Sequence, residues 1–189
     1  MAQEKWEEIN GVVCPWWLIG AFDNPLRRLL QKPERILSGL VKPGQVAADI
    51  GCGMGYFTVP LARLAGPEGR VLAIDLQEKM LAGARRRAAR AGVSERVQFC
   101  RASPAGFGVA GPVDFVLTFW MVHEVPDQER FLKEVHALLR PGGTWLLAEP
   151  PIHVTQAMFD RTVAVAQSVG FTPLSRPRIA FSRAVLFAR

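Results

Sequence analysis

The order of its apolar runs constrains this chain more than any other feature. Residues 46–50 (VAADI), 71–75 (VLAID), 97–100 (VQFC), 113–119 (VDFVLTF) and 144–148 (TWLLA) are short and largely apolar. They read as buried strands. Between them lie segments with helical periodicity. Residues 57–65 form one, with Pro60 in a first turn that tolerates it. Residues 77–91 form the next: Met80, Ala84, Ala88 and Ala91 share a face and Gly92 ends it. Asp127 caps a third helix with the stripe Phe131, Leu132, Val135, Leu138 and Leu139, broken by Pro141-Gly142-Gly143. Thr155 caps a fourth over 156–169, closed by Gly170. The tail, about 177–189, reads as two short strands. Strands alternating with helices predict an α/β fold. Its sheet is doubly wound and mostly parallel, with helices on both faces. In such a sheet ligands sit beyond the carboxyl ends of the strands, at the switch point. Residues 49–55, Asp75, Ala102-Ser103 and 119–124 all follow strands and converge there.

The chain has 189 residues, enough for one domain with a full core. Its longest apolar stretches, 14–22 and 113–122, fall short of a membrane span. The start, MAQEKWEEIN, lacks a signal-peptide pattern, so the expected compartment is the cytoplasm. Cys14, Cys52 and Cys100 are widely spaced and form no metal-site pattern, so no metal is expected. Before the first strand, Asn24-Pro25 and Pro33 each open a short helix. Residues 1–41 are expected to form a helical lid segment and 42–189 the core.

The stretch DIGCGMGYFT, residues 49–58, carries the chemistry. Glycines at 51, 53 and 55 directly after a strand permit a tight turn with positive φ and a close approach of ligand to backbone. The helix that follows should turn free backbone N–H groups toward that ligand. The spacing is GxGxG, not GxGxxG. Asp49 stands at the tip of the first strand, and Asp75 ends the second, about 20 residues beyond Gly55.

Together these features resemble the class I S-adenosylmethionine-dependent methyltransferases, nearest to the ubiquinone/menaquinone-type, methyltransferase type 11-like branch. VAADIGCGMGYFTVPLA resembles the first motif of that family, VLAIDLQEKML the second, VDFVLTFWMVHEV the fourth-strand motif and LLRPGGTWLLAEP the fifth. The resemblance spans about residues 40–189. It implies a Rossmann-like seven-stranded sheet with an antiparallel last strand and S-adenosyl-L-methionine as cofactor. It implies that Asp49 helps bind the methionine part, with Gly51, Cys52 and Gly53 packed against it. Asp75 would accept from both ribose hydroxyls, and Leu76 would flank the adenine. Phe119 and Trp120 would lie beneath the cofactor, and Gly55, Met80 and Ala102 join the cofactor-facing set. Near Ser103 the family often has an aspartate for the adenine amino group; this chain has RASP.

Methyl transfer from a sulfonium needs alignment, exclusion of water and, for a protonated acceptor, a base. His123-Glu124, after the fourth strand, and His153, after the fifth, are the candidates. Each histidine could equally order its own loop. His136 falls inside a helix and reads as a surface residue. Trp16, Trp17 and Phe22 could close over the cofactor or simply pack the N-terminal helices. Cys14 beside them is a further, weaker candidate. The formal charge of +6 is concentrated at RRRAAR, residues 85–90, on the helix face opposite Met80 and Ala84, where it reads as a solvated face. No NPPY- or PC-type motif is present. The expected partner is therefore a small-molecule acceptor at an O, N, S or C centre and not nucleic acid. Three alternatives stay open: an RNA- or protein-modifying methyltransferase, a catalytically silent cofactor-binding subunit, and a nicotinamide dehydrogenase, which would want GxGxxG. The sequence sets no oligomeric state.

Overall fold

A computed structural model of the chain describes residues 30–103 and 105–189. The expectations for Cys14, Trp16, Trp17, Phe22 and Asn24-Pro25 lie outside the described residues. The elements run α1 (Pro33–Ile36), β1 (Val46–Ile50), α2 (Thr58–Ala65), β2 (Arg70–Asp75), α3 (Glu78–Arg90), β3 (Val97–Arg101), β4 (Val113–Phe119), α4 (Gln128–Leu138), β5 (Leu139–Glu149), α5 (Gln156–Val169), β6 (Thr172–Ser175) and β7 (Arg183–Ala188).

The seven strands form one sheet in the order β3-β2-β1-β4-β5-β7-β6. β3, β2, β1, β4 and β5 are mutually parallel, and β7 runs antiparallel to both β5 and β6. The order reverses between β1 and β4, which sets the switch point at the tips of these two strands.

The period of two explains why both faces are covered. Ala47, Ala73, Phe115, Leu117, Leu146 and Ala148 point to one core, shared with Leu61, Ala62, Leu81 and Ala84 of α2 and α3. Their chain neighbours Ala48, Leu72, Ile74, Val116 and Leu147 point to the other, shared with Phe131, Leu132, Val135, Phe159 and Val163 of α4 and α5. Trp145 is wholly buried in the second core. It stacks on Phe187 with ring centroids 4.8 Å apart, and its indole N–H donates to Thr118 Oγ1 at 2.9 Å.

Three expectations need correction. The fifth strand begins at Leu139, not residue 144. Leu139 pairs with Val113 and Thr144 with Phe115, so residues 140–143, with their proline and two glycines, bulge out of a strand that already runs. The tail strands are Thr172–Ser175 and Arg183–Ala188, so the first starts before residue 177, directly after Gly170 caps α5 in the left-handed region. His136 is not a plain surface residue. Its ring meets Phe171 edge-on at 5.1 Å, and burial together with the Arg189 charge lowers its pKa.

No helix among the described residues is long and apolar enough to cross a membrane. No cluster of His, Cys, Asp or Glu among them could hold a metal ion.

Candidate active site

The glycine loop leaves β1 at its switch-point end. Gly51 has φ +71° and Gly55 φ +80°. A Cβ on Gly51 would lie 2.7 Å from Met121 Cγ, and one on Gly55 would lie 3.2 Å from the Ala84 backbone. Gly55 therefore lets α3 cross close over the loop, and Gly51 lets the segment after β4 lie on it.

The expectation of free N–H groups in this loop is not met at four of its positions. Gly51 and Cys52 donate to Ile74 O at 2.9 and 3.1 Å, and Gly55 donates to Cys52 O at 2.9 Å. Gly53 donates to Asp75 Oδ2 at 2.9 Å. These groups are spent on the protein, so the loop is no phosphate cradle. The charge at the strand tips is negative instead. Asp75 accepts from Gly53 and, through Oδ1, from Gln77 N at 2.9 Å, which orients its carboxylate at the end of β2. Asp49 is buried and accepts from Thr58 Oγ1 at 2.6 Å. Burial raises its pKa from 3.8 to about 7, helped by the nearby Asp75 charge and opposed by the Thr58 hydrogen bond. Two carboxylates without phosphate-binding amides suit a cationic ligand and repel a pyrophosphate. Such a site favours a positively charged ligand over an anionic one. Cys52 is buried, and desolvation with the Asp49 and Asp75 charges pushes its thiol well above its ordinary pKa, so it is not a nucleophile.

The other expected cofactor-facing residues are distributed around this loop. Leu76 is half-buried at the tip of β2. Ala102 donates to Asp75 O at 2.9 Å and so lies beside the β2 tip. Ser103 pairs with Gly106 across a tight turn, and its hydroxyl accepts from Ala105 N at 3.1 Å, so that hydroxyl serves the turn. Met80 is 2% exposed, packed inside the protein. Phe119 is buried between Phe57, at 4.4 Å, and Trp120, at 5.4 Å. Trp120 has φ +61°, an unusual conformation for a bulky side chain. It is held by its N–H on Ala148 O and its indole N–H on Ser182 Oγ, both at 2.8 Å. Such strain collects at functional sites.

The two candidate bases come together. Phe119 and Ala148 are register partners on β4 and β5, so the loops that follow those strands are neighbours. His123 and His153 stack with ring centroids 6.0 Å apart and planes 11° apart. His123 Nδ1 hydrogen-bonds Glu149 Oε2, and Glu149 is 1% exposed and also accepts from Val122 N at 2.8 Å. Sequence reasoning places Glu149 at the tip of the fifth strand beside His153; its pairing with His123 is what that reasoning missed. Glu124 lies farther off, with Oε1 4.0 Å from His123 Nε2. With Nδ1–H donating to Glu149, the basic lone pair of the neutral ring is on Nε2. Burial lowers the His123 pKa. The hydrogen bond and charge of Glu149, with the charge of Glu124, outweigh that and leave it above the ordinary value of 6.5. His153 is exposed.

Comparison with known proteins agrees with this geometry. A family model described as a methyltransferase domain matches residues 47–143, half of the chain. A demethylmenaquinone methyltransferase of Lactobacillus johnsonii is 31% identical over 104 residues, 54% of this chain and 43% of that protein. A ubiquinone biosynthesis O-methyltransferase of Xanthomonas axonopodis is 27% identical over 168 residues, 88% of this chain and 68% of that one. Against the first, and against the demethylmenaquinone methyltransferase of Bacillus cytotoxicus at 46%, the chain spans less than half of the relative's length. The solved structure of a SAM dependent methyltransferase from Aquifex aeolicus superposes with a TM-score of 0.84 and 22% identity over 93% of this chain and 98% of that one, a likeness of fold. The chain belongs to the methyltransferase-domain family of class I S-adenosylmethionine-dependent enzymes.

Proposed function

We infer that this chain transfers a methyl group from S-adenosylmethionine to a small molecule whose O, N, S or C acceptor carries an ionisable proton, with His123 as the base. Residues 42–189 serve as the cofactor-binding core in this reading. The observation that carries it is the His123–Glu149 pair. A buried carboxylate fixes the ring through Nδ1 and leaves Nε2 basic, two residues beyond Met121, which lies against the glycine loop.

Bound at the β1 and β2 tips, S-adenosylmethionine supplies a methyl group already activated on a sulfonium sulfur. Asp75, oriented for a diol by its two backbone donors, supplies negative charge there, and Asp49 adds to it once it ionises, above its raised pKa of about 7. Phe119 and Trp120 present aromatic surface, which excludes water and attracts cations. His123 Nε2 accepts the acceptor's proton, and Glu149 stabilises the imidazolium that forms. His153 stacks on the His123 ring. Glu124 adds to the field that favours the protonated ring.

The relatives named for menaquinone and ubiquinone make phenols and hydroquinones the first acceptors to try. The test is transfer of radiolabelled methyl from S-adenosylmethionine to a panel of such acceptors by wild type and His123→Ala. Base catalysis contributes on the order of a hundredfold or more, so the variant should lose that factor while binding cofactor normally. Equal rates in the two proteins would remove His123 as the base.

A further inference from the structure

One feature of the carboxyl edge plays no part in the chemistry above. Between the start of β7 and the first turn of α5 lies a groove of about 300 Å³, lined among others by Gln156, Arg176, Arg178, Ile179, Ser182 and Arg183. That volume is in the range of small-molecule sites. Among the described residues of its lining three are arginines and none is a carboxylate.

Among the described residues this charge is scarcely compensated. Arg176 Nη2 lies 3.9 Å from Asp160 Oδ1, with both side chains more than half exposed, and the same oxygen accepts from Gln156 Nε2 at 2.9 Å. A pair of that kind contributes little. Arg178 is exposed and has no ion-pair partner among the described residues. Arg183 is fixed by neutral groups, with Nη1 on Val154 O at 2.8 Å and Nε on Gln156 Oε1 at 3.0 Å. Its cross-strand partner Glu149 is committed to Val122 and His123. A guanidinium oriented in this way, with no counter-charge among the described residues, is prepared for an anion.

The groove adjoins the site already described. Ser182, in its lining, accepts from the Trp120 indole, and Val154, whose carbonyl holds Arg183, follows His153 in the chain. We propose that the groove binds an oxyanion, carboxylate or phosphate, carried by the methyl acceptor, so that the arginines hold its charged end while the reacting atom lies toward His123. The identification of the anion's carrier rests on the methyltransferase reading; the binding of the anion does not.

The test is to titrate inorganic phosphate and benzoate separately into wild type and into Arg176→Gln/Arg178→Gln. Calorimetry and the arginine Nε–H signals are the readouts, and S-adenosylhomocysteine is titrated into both proteins. Both substituted side chains are exposed, so the variant should keep its fold and its S-adenosylhomocysteine affinity. At least one anion should bind wild type, move the Arg178 and Arg183 signals, and bind the variant about tenfold more weakly or worse. Tighter phosphate binding would identify a phosphorylated acceptor, and tighter benzoate binding a carboxylic acid. No binding of either anion, or equal binding to both proteins, would overturn the proposal. If wild type failed to bind S-adenosylhomocysteine, the methyltransferase reading would fall, and the anion titrations would still decide the groove.

Discussion

Replacing Asp49 by asparagine should stabilise the protein at neutral and higher pH, by an amount that grows as pH rises. The substitution keeps the shape and an oxygen to accept from Thr58 Oγ1, now at 2.6 Å, and removes only the buried charge. In the folded protein the carboxyl titrates at about 7, against the ordinary value of 3.8. Between these two values the folded state holds a proton that the unfolded state has lost. A carboxyl with a raised pKa therefore loses stability as pH rises through that window. Three units at about 1.4 kcal/mol each set a ceiling of ~4 kcal/mol. From pH 5 to pH 8 the cost amounts to roughly 2–3 kcal/mol, because the titration is complete only above the folded pKa. Urea unfolding of wild type and variant at unit pH steps measures the difference. The variant should gain on wild type at each step and level off above pH 8. A difference that stays flat from pH 5 to pH 8 would refute the reasoning, since it would mean that Asp49 is ionised throughout. The same substitution takes negative charge from a cation site, so it should weaken S-adenosylmethionine binding while it stabilises the fold.

Glu149→Gln should move the His123 pKa down from its raised position, because a hydrogen-bonded carboxylate is replaced by a neutral amide that can donate to Nδ1 and shift the ring proton to Nε2; a proton-detected histidine titration reads this directly. In the same variant methyl transfer should fall by about a hundredfold or more. In wild type the rate should rise with pH through a value above 6.5, as the His123 ring becomes neutral. Trp145→Phe should cost roughly 2–4 kcal/mol in urea unfolding, because it opens space in the core and strands the buried Thr118 hydroxyl; adding Thr118→Val should recover part of that loss.

Much of this architecture is legible in the residues, because strand and helix periods are local signals. Ala47 and Ala48 face opposite cores as alternation requires, and Gly55 and Gly170 stand where positive φ is needed. The start of β5 was not legible, since Pro141-Gly142-Gly143 reads as an end, whereas here it forms a bulge inside a continuing strand. The placement of Asp49 and Asp75 at the ends of the first two strands, and of the glycines directly after the first, was legible because short apolar runs are local signals. The direction of the loop N–H groups was not, because whether an amide points to ligand or to Ile74 and Asp75 depends on the neighbouring strand. Glu149 and His123 are 26 residues apart, and they meet only because β4 and β5 are adjacent. Glu149 at the fifth-strand tip is visible in the sequence; the adjacency of β4 and β5 that brings it to His123 is not. The left-handed backbone of Trp120 had no signal at all, since propensity argues against it.

The central claim is a cationic-cofactor site built on two carboxylates. Calorimetric titration of S-adenosylmethionine and of NAD into wild type and Asp75→Asn tests it most directly. The account predicts that S-adenosylmethionine binds wild type and NAD does not. It predicts further that the variant loses about tenfold to a hundredfold in affinity, as expected for the loss of one or two charge-assisted hydrogen bonds. Binding of NAD in preference to S-adenosylmethionine, or equal S-adenosylmethionine affinity in the two proteins, would contradict it.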